Sequence, residues 1–124
     1  MVHRRLGGDP SVSTRGIPWD IRKTGSAAIE CAFVAVGLLQ VTRFDQPNIW
    51  DVAGGIVLAQ AAGRRVKVRE DKVWQPFSSF AQLDTTAGPA PSGEPEVRRV
   101  LRDWRRSLIL GEEDAVARAC QIFA

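Results

Sequence analysis

Ile49-Trp50-Asp51-Val52-Ala53-Gly54-Gly55-Ile56-Val57-Leu58-Ala59-Gln60-Ala61-Ala62-Gly63 is the stretch from which the rest of the chain is read. It reads as a carboxylate set at the start of a buried helix. Asp51 suits that place, because its oxygens accept hydrogen bonds from the first free backbone N–H groups and its charge complements the positive end of the helix dipole. Gly63 stands where a helix commonly ends in the left-handed conformation. Two adjacent glycines inside a helix cost about 1 kcal/mol each relative to alanine, so close approach of another backbone at Ala53-Gly54-Gly55 is the expectation. Taken alone, the stretch is a capped core helix and no more; its neighbours decide whether it is also a site.

Working outward, the segments on either side alternate between strand and helix patterns. Asp20-Ile21-Arg22-Lys23-Thr24 is a short strand candidate ended by Gly25. Ser26 can cap a helix running from about Ala27 to Gln40, apolar nearly all round and so expected to be buried on most sides. Val41-Thr42-Arg43-Phe44 is β-branched and aromatic, hence a strand, and Asp45-Gln46-Pro47-Asn48 is a turn by composition. After the glycine-bearing helix, Arg65-Val66-Lys67-Val68-Arg69 alternates as a half-exposed strand. A turn at Glu70-Asp71-Lys72 leads to Val73-Trp74-Gln75-Pro76-Phe77, an edge segment because Pro76 cannot donate to a ladder.

Residues 84–95 are rich in Thr, Ala, Gly, Pro and Ser and read as a surface loop. Pro95 then opens a helix with Val97, Val100, Leu101 and Trp104 on one stripe. Ser107-Leu108-Ile109-Leu110 is a buried strand ended by Gly111. Glu112-Glu113-Asp114 opens a last helix whose core face is Val116, Ala119, Cys120 and Phe123. The alternation points to an α/β fold with a mixed, mainly parallel sheet flanked by helices. The expected organisation is an irregular segment over 1–19, rich in Gly, Ser, Pro and Arg, followed by one α/β domain over 20–124.

Composition narrows the function classes. The chain has 124 residues and a formal net charge of +3, too small and scattered an excess to argue for nucleic acid by itself. The arginines 98, 99, 102, 105 and 106 gather after Pro95, but Asp103 interrupts them and no stacking aromatics interleave, so they read first as a solvated face and only third as a weak nucleic-acid contact. Cys31 and Cys120 lie far apart inside apolar patterns, which fits free thiols in a reducing, cytoplasmic setting rather than a disulfide framework. The one histidine, His3, falls in a segment expected to fray, which argues against His-dependent chemistry. The most apolar run, 27–39, is shorter than a membrane span and carries Glu30, so no membrane partner is expected.

The residues that can carry chemistry form one constellation. Thr24-Gly25-Ser26-Ala27-Ala28 is a strand-turn-helix junction whose N–H groups at Ser26 and Ala27 can meet a substrate hydroxyl or an anion. Asp51 offers the oxygen ligand that a hard cation such as Mg²⁺ prefers. Ser26 as a nucleophile lacks a base in reach. With Ala62-Gly63 closing the second piece, Thr24-Gly25-Ser26-Ala27-Ala28 and Trp50-Asp51-Val52-Ala53-Gly54-Gly55 resemble the C-terminal half of inositol monophosphatase-type phosphatases, well over residues 20–68 and loosely beyond.

The resemblance implies Mg²⁺-dependent hydrolysis of inositol or sugar phosphates by a metal-activated water. It implies Asp51 as the carboxylate that holds a metal beside the substrate, and Gly25, Ser26 and Ala27 as the turn that contacts the alcohol part of the substrate. The family carries an acid shortly before the Trp-Asp pair to bind a substrate hydroxyl; here Phe44 stands at that spacing and Asp45 lies one residue closer, so Asp45 is the candidate. Arg64 replaces a second glycine usual after Gly63. The family's other metal ligands come from an N-terminal domain with an Asp-Pro-x-Asp-Gly-Thr segment and an upstream glutamate, for which this chain has no counterpart; Gly111-Glu112-Glu113 matches the glutamate motif in letters only and reads as a helix start. The expectation is therefore a substrate-side half enzyme, inactive as an isolated chain, whose partner is a missing N-terminal domain or a second copy. The alternative is a non-catalytic association module that retains the fold.

Overall fold

The computed structural model describes residues 2–4 (backbone), 17–80, 93 and 95–124. Six strands form one sheet in the order β2-β1-β3-β6-β4-β5, and every neighbouring pair is antiparallel. The strands are β1 (Val2–Arg4), β2 (Asp20–Arg22), β3 (Val41–Phe44), β4 (Arg65–Glu70), β5 (Val73–Pro76) and β6 (Leu108–Gly111). Helices α1 (Ala27–Ala35) and α2 (Ile49–Ala61) cover one face, α4 (Glu113–Ile122) the other, and α3 (Glu96–Asp103) precedes β6.

The expected mainly parallel sheet is thus corrected to an antiparallel one. The physical reason lies in β6. The unit β3-α2-β4 is a crossover whose two strands run the same way, as the alternating pattern implies. They are not neighbours, however: β6 inserts between them and runs antiparallel to both, with Thr42 and Val66 each opposite Leu110. Consecutive strand patterns cannot reveal a strand that arrives from much later in the chain.

Side chains alternate across the sheet as the pleat requires. Leu108 and Leu110 of β6, with Val66 and Val68 of β4 and Phe44 of β3, face α1 and α2. Ile109 and Val41 face α4 and pack on Ala115, Val116 and Ala119 together with Trp19. The β4-β5 hairpin closes through Asp71 and Lys72, both at positive φ (46° and 66°), with Glu70 opposite Val73; this is the two-residue turn whose twist matches the strands.

Helices α1 and α2 end alike. Gly37 (φ +80°) and Gly63 (φ +75°) adopt the left-handed conformation. The N–H of Leu38 donates to Phe33 O and that of Gly37 to Val34 O; Arg64 N–H donates to Ala59 O and Gly63 N–H to Gln60 O. Each is a paired closure that satisfies the last carbonyls of its helix. For this reason α1 stops at Ala35 instead of reaching Gln40. Arg64, in place of the second glycine, sends its guanidinium towards Glu112 at 3.9 Å.

Three further expectations change. Val2–Arg4, within the segment read as irregular, forms a strand between β2 and β3, with His3 opposite Ile21 and Val41; two strand neighbours supply what its own pattern lacks. The cap of α2 is Asn48, not Asp51. And α1 is not buried on most sides: Ile29, Phe33 and Val36 are open, because among the described residues no element covers the outer side of α1 and α2. Most of the 84–95 loop lies outside the described residues.

The two adjacent glycines of α2 have different reasons. A Cβ on Gly55 would sit 2.4 Å from the Cβ of Cys31, so this is where the helices touch; a Cβ on Gly54 would meet nothing within 4 Å. Gly55→Ala is expected to lower stability by about 1–3 kcal/mol through overpacking, whereas Gly54→Ala is expected to raise it by up to about 1 kcal/mol through helix propensity, as read from urea midpoints at equal slope. Equal effects at both positions would contradict the helix contact.

Cys31 at the same contact is fully buried, and its thiol is pushed up from the ordinary 9.0 to about 11, first by burial and then by the neighbouring Glu30 carboxylate. The thiol stays protonated in the fold while the unfolded chain ionises. Its contribution to stability is therefore complete below about pH 9 and is lost as the pH climbs through 11. Thermal melts between pH 8 and 11 should show this decline, and Cys31→Ala should flatten it.

Candidate functional site

The helices α1 and α2 run side by side in the same direction, since Gly55 meets Cys31 while Gly25–Ala28 and Trp50–Asp51 share a cleft at their N-terminal ends. That cleft has a volume of about 460 Å³ and is lined by Gly25, Ser26, Ala27, Ala28, Trp50 and Asp51. Two pieces of sequence more than twenty residues apart are brought together there, and both helices direct the positive ends of their dipoles into it.

Gly25 takes φ +79°, which turns the chain from β2 into α1. Ser26 is the N-cap of α1: its backbone is extended and its Oγ accepts from the N–H of Ile29 at 3.4 Å. The N–H of Ser26, expected to be free, donates instead to Thr24 Oγ1 at 3.2 Å. Among the described residues, the N–H groups of Ala27 and Ala28 have no such partner and are the donors left to the cleft.

Asp51 occupies the first turn of α2 rather than its cap. Its backbone N–H donates to Asn48 O at 3.1 Å, and its Oδ2 accepts from Asn48 Nδ2 at 3.3 Å. The carboxylate is exposed at the cleft. Freed from capping, it has most of its lone pairs available to a ligand.

Asp45 does not line this cleft. Its Oδ1 accepts from Ser107 Oγ at 2.7 Å and lies 3.6 Å from Arg43, so it ties the end of β3 to the start of β6. Two residues outside the expected site set stand at the cleft or beside it. Trp50 is 64 % exposed, unlike the buried Trp19 and Trp104, and Arg105 lies 5.7 Å over its ring. Arg105 was one of five clustered arginines; nothing local marked it out, because Trp50 is distant in sequence. Of the others, Arg106 pairs with Glu70 and Arg102 with Asp103, which spends their charge within the chain.

Glu30 holds the cleft in place from behind. It is 4 % exposed. Its Oε1 accepts from Thr24 N and Thr24 Oγ1 at 3.3 and 3.1 Å, and its Oε2 accepts from Thr42 Oγ1 at 3.0 Å. A buried carboxylate requires such donors, and here they fasten the Gly25 turn to β3.

Among the described residues there is no group of three His, Cys, Asp or Glu side chains that could hold a metal. Mg²⁺ demands octahedral oxygen coordination; the cleft supplies one carboxylate of the right chemistry, Asp51, and not a full set. No described helix is long and apolar enough to cross a membrane.

Thr42→Val should leave Glu30 Oε2 short of a donor and cost about 1–3 kcal/mol, read as a lowered urea midpoint, with faster amide exchange at Thr24 to Ala28. An unchanged turn would show that Glu30 does not fasten it.

A family model described as the inositol monophosphatase family matches residues 4–94. The match extends on both sides of the 20–68 stretch that carries the sequence motifs. No curated protein and no solved structure matches the chain. With the two motifs of the resemblance meeting at one cleft and a family match over most of its length, the chain belongs to the inositol monophosphatase family.

Proposed function

We propose that this chain is the substrate-side half of a Mg²⁺-dependent phosphomonoesterase that acts on inositol or sugar phosphates. The single observation that supports the reading is the exposed Asp51 carboxylate sharing one cleft with the Gly25-Ser26-Ala27 turn. In this reading Asp51 gives one oxygen to a Mg²⁺ ion and stands beside the substrate. The Gly25, Ser26 and Ala27 turn, through the N–H of Ala27, receives an oxygen of the substrate's alcohol part. Bound Mg²⁺ supplies the activation of a water towards phosphorus. Asp45 would serve the substrate only if released from Ser107, so its part in binding ranks below that of Asp51.

Among the described residues the cleft holds one carboxylate, so in this reading the remaining donors come from another polypeptide segment and the chain by itself turns over little or no substrate. A cytoplasmic setting accords with two free thiols. The second reading, an association module without chemistry, is favoured by the apolar side of α1 and α2 that no described element covers.

The test joins binding to turnover. Mn²⁺, titrated as an electron-paramagnetic stand-in for Mg²⁺, is expected to bind with a dissociation constant of about a millimolar or weaker, as befits a single carboxylate, and Asp51→Asn should abolish that binding. Phosphate release from inositol monophosphate should be negligible for the chain alone. It should appear when a polypeptide carrying an Asp-Pro-x-Asp-Gly-Thr segment is supplied, and fall at least 100-fold with Asp51→Asn. Mn²⁺ binding indifferent to Asp51→Asn would overturn the metal role. Strong turnover by the chain alone, lost with Asp51→Asn, would overturn the half-enzyme.

A further inference from the structure

Where α4 meets the β4-β5 hairpin, the margin of the sheet holds a cavity of about 580 Å³, larger than the Asp51 cleft and sharing no residue with it. The pleat decides its chemistry. Val66 and Val68 of β4 turn towards α1 and α2, so Arg65 and Lys67 turn the other way. Lys67 stands between Ile109, which packs on α4, and Pro76 of the hairpin. Across from them α4 contributes Val116, Ala117 and Cys120. Arg64, just past the end of α2, closes one end.

The wall is cationic on one side and apolar on the other. Arg64, Arg65 and Lys67 line it with a single acid, Glu113. Arg65 lies 3.0 Å from Glu113, and that pair is exposed at the rim. Lys67 is half-buried and, among the described residues, pairs with no acid, although a lysine withdrawn from water is normally paired. Its charge is felt inside the cavity: burial raises the Cys120 thiol above the ordinary 9.0, and the Lys67 ammonium offsets part of that rise. Arg64 keeps a buried Nε–H that has no acceptor among the described residues, and such a donor is costly until it is met. On the apolar side, the Nε1–H of Trp74 donates to Phe123 O at 3.1 Å. That bond fixes the ring and leaves only its hydrocarbon body to the cavity.

We propose that this cavity binds a small organic anion, an oxyanion head on an aromatic body. Lys67, Arg64 and Arg65 receive the head; the guanidinium forks match a carboxylate or a phosphate through paired bonds, and the Lys67 ammonium gains the counter-charge it lacks. The body rests on Trp74 and on the α4 wall at Val116 and Ala117. A bare inorganic anion leaves Trp74 unused, and a neutral aromatic leaves Lys67 without an acid, so the site needs both parts of the ligand. The volume suits a small molecule, and a mostly apolar lining with a few convergent polar groups is the usual make-up of such a site. The proposal goes beyond the phosphatase reading and does not rest on it: Asp51 lies about 14 Å along α2 from the Gln60 end that borders this cavity.

Phenylacetate and phenyl phosphate, titrated into the full chain without metal, test it by saturation-transfer NMR and by the rate of thiol alkylation. Cys31 is fully buried, so iodoacetamide reports on Cys120 in the cavity wall. At least one of the two anions should bind at about a millimolar or tighter and slow the alkylation of Cys120 in proportion to occupancy. The tighter of the two tells a carboxylate head from a phosphate head. Acetate, inorganic phosphate and phenylethanol, each carrying half of the chemistry, should bind about tenfold more weakly or worse. Lys67→Met should weaken the anion by about tenfold or more. Ala117→Phe, which fills the cavity from an exposed helix position, should abolish binding. Arg118→Met removes a charge from the same helix outside the cavity and should change nothing. Circular dichroism checks that the variants fold, and Lys67→Met decides alone if Ala117→Phe does not. Absence of binding by both anions at about ten times the expected constant overturns the proposal. So does phenylethanol binding as well as the anions, indifference to Lys67→Met, or an equal loss with Arg118→Met. Mn²⁺ binding at Asp51 is read separately in Lys67→Met, so failure here and failure of the phosphatase reading are told apart.

Discussion

The contact between Gly55 and Cys31 governs the arrangement of this molecule. With hydrogen in place of a methyl on α2, the two helices approach until the glycine backbone meets the Cys31 side chain. That approach sets them parallel and brings their first turns level. Everything at the cleft follows from it: the Gly25 turn opens α1, Asp51 lies in the first turn of α2, and neither reaches the other unless the helix axes are this close. The same burial leaves the Cys31 thiol hard to ionise, so the contact is apolar in both its chemistry and its geometry.

A second constraint holds the cleft from the sheet side. Glu30 is a charge placed where charge is costly, and three donors from Thr24 and Thr42 make the placement tolerable. The arrangement divides labour among the carboxylates. Glu30 is sequestered and structural, Asp45 is engaged by Ser107 and Arg43, and Asp51 stands open. An acid's surroundings, more than its identity, separate these roles.

Much of this was legible from residues that act locally. Gly63 ended its helix by conformation, the 70–73 hairpin was set by its turn, Pro76 kept its strand at an edge, and Ser107 to Leu110 read as a buried strand because Leu108, Ile109 and Leu110 are all apolar. The meeting of the Gly25 turn with Asp51 was legible through motifs. What escaped the sequence depends on distant partners. The sheet's antiparallel order rests on β6 arriving between β3 and β4, and no spacing within β3-α2-β4 announces it. Asn48 and Asp51 are both good caps, and only the actual start of α2 separates them. Asp45 looked as available as Asp51 until Ser107, 62 positions later, was found on it. An all-apolar α1 says that apolar surface exists, not which side of it a neighbour covers.

The place of β6 also bears on how the chain comes to be folded. The strand that completes the middle of the sheet is synthesised after both strands it joins, so a nascent chain emerging from the ribosome carries β3 and β4 as two unpaired borders with a gap between them. Pairings of such long sequence separation are slow to form, and open borders are templates for wrong partners. Delayed closure of this kind leaves the facing edges of β3 and β4 without their native partner from the synthesis of Glu70 until that of Leu108.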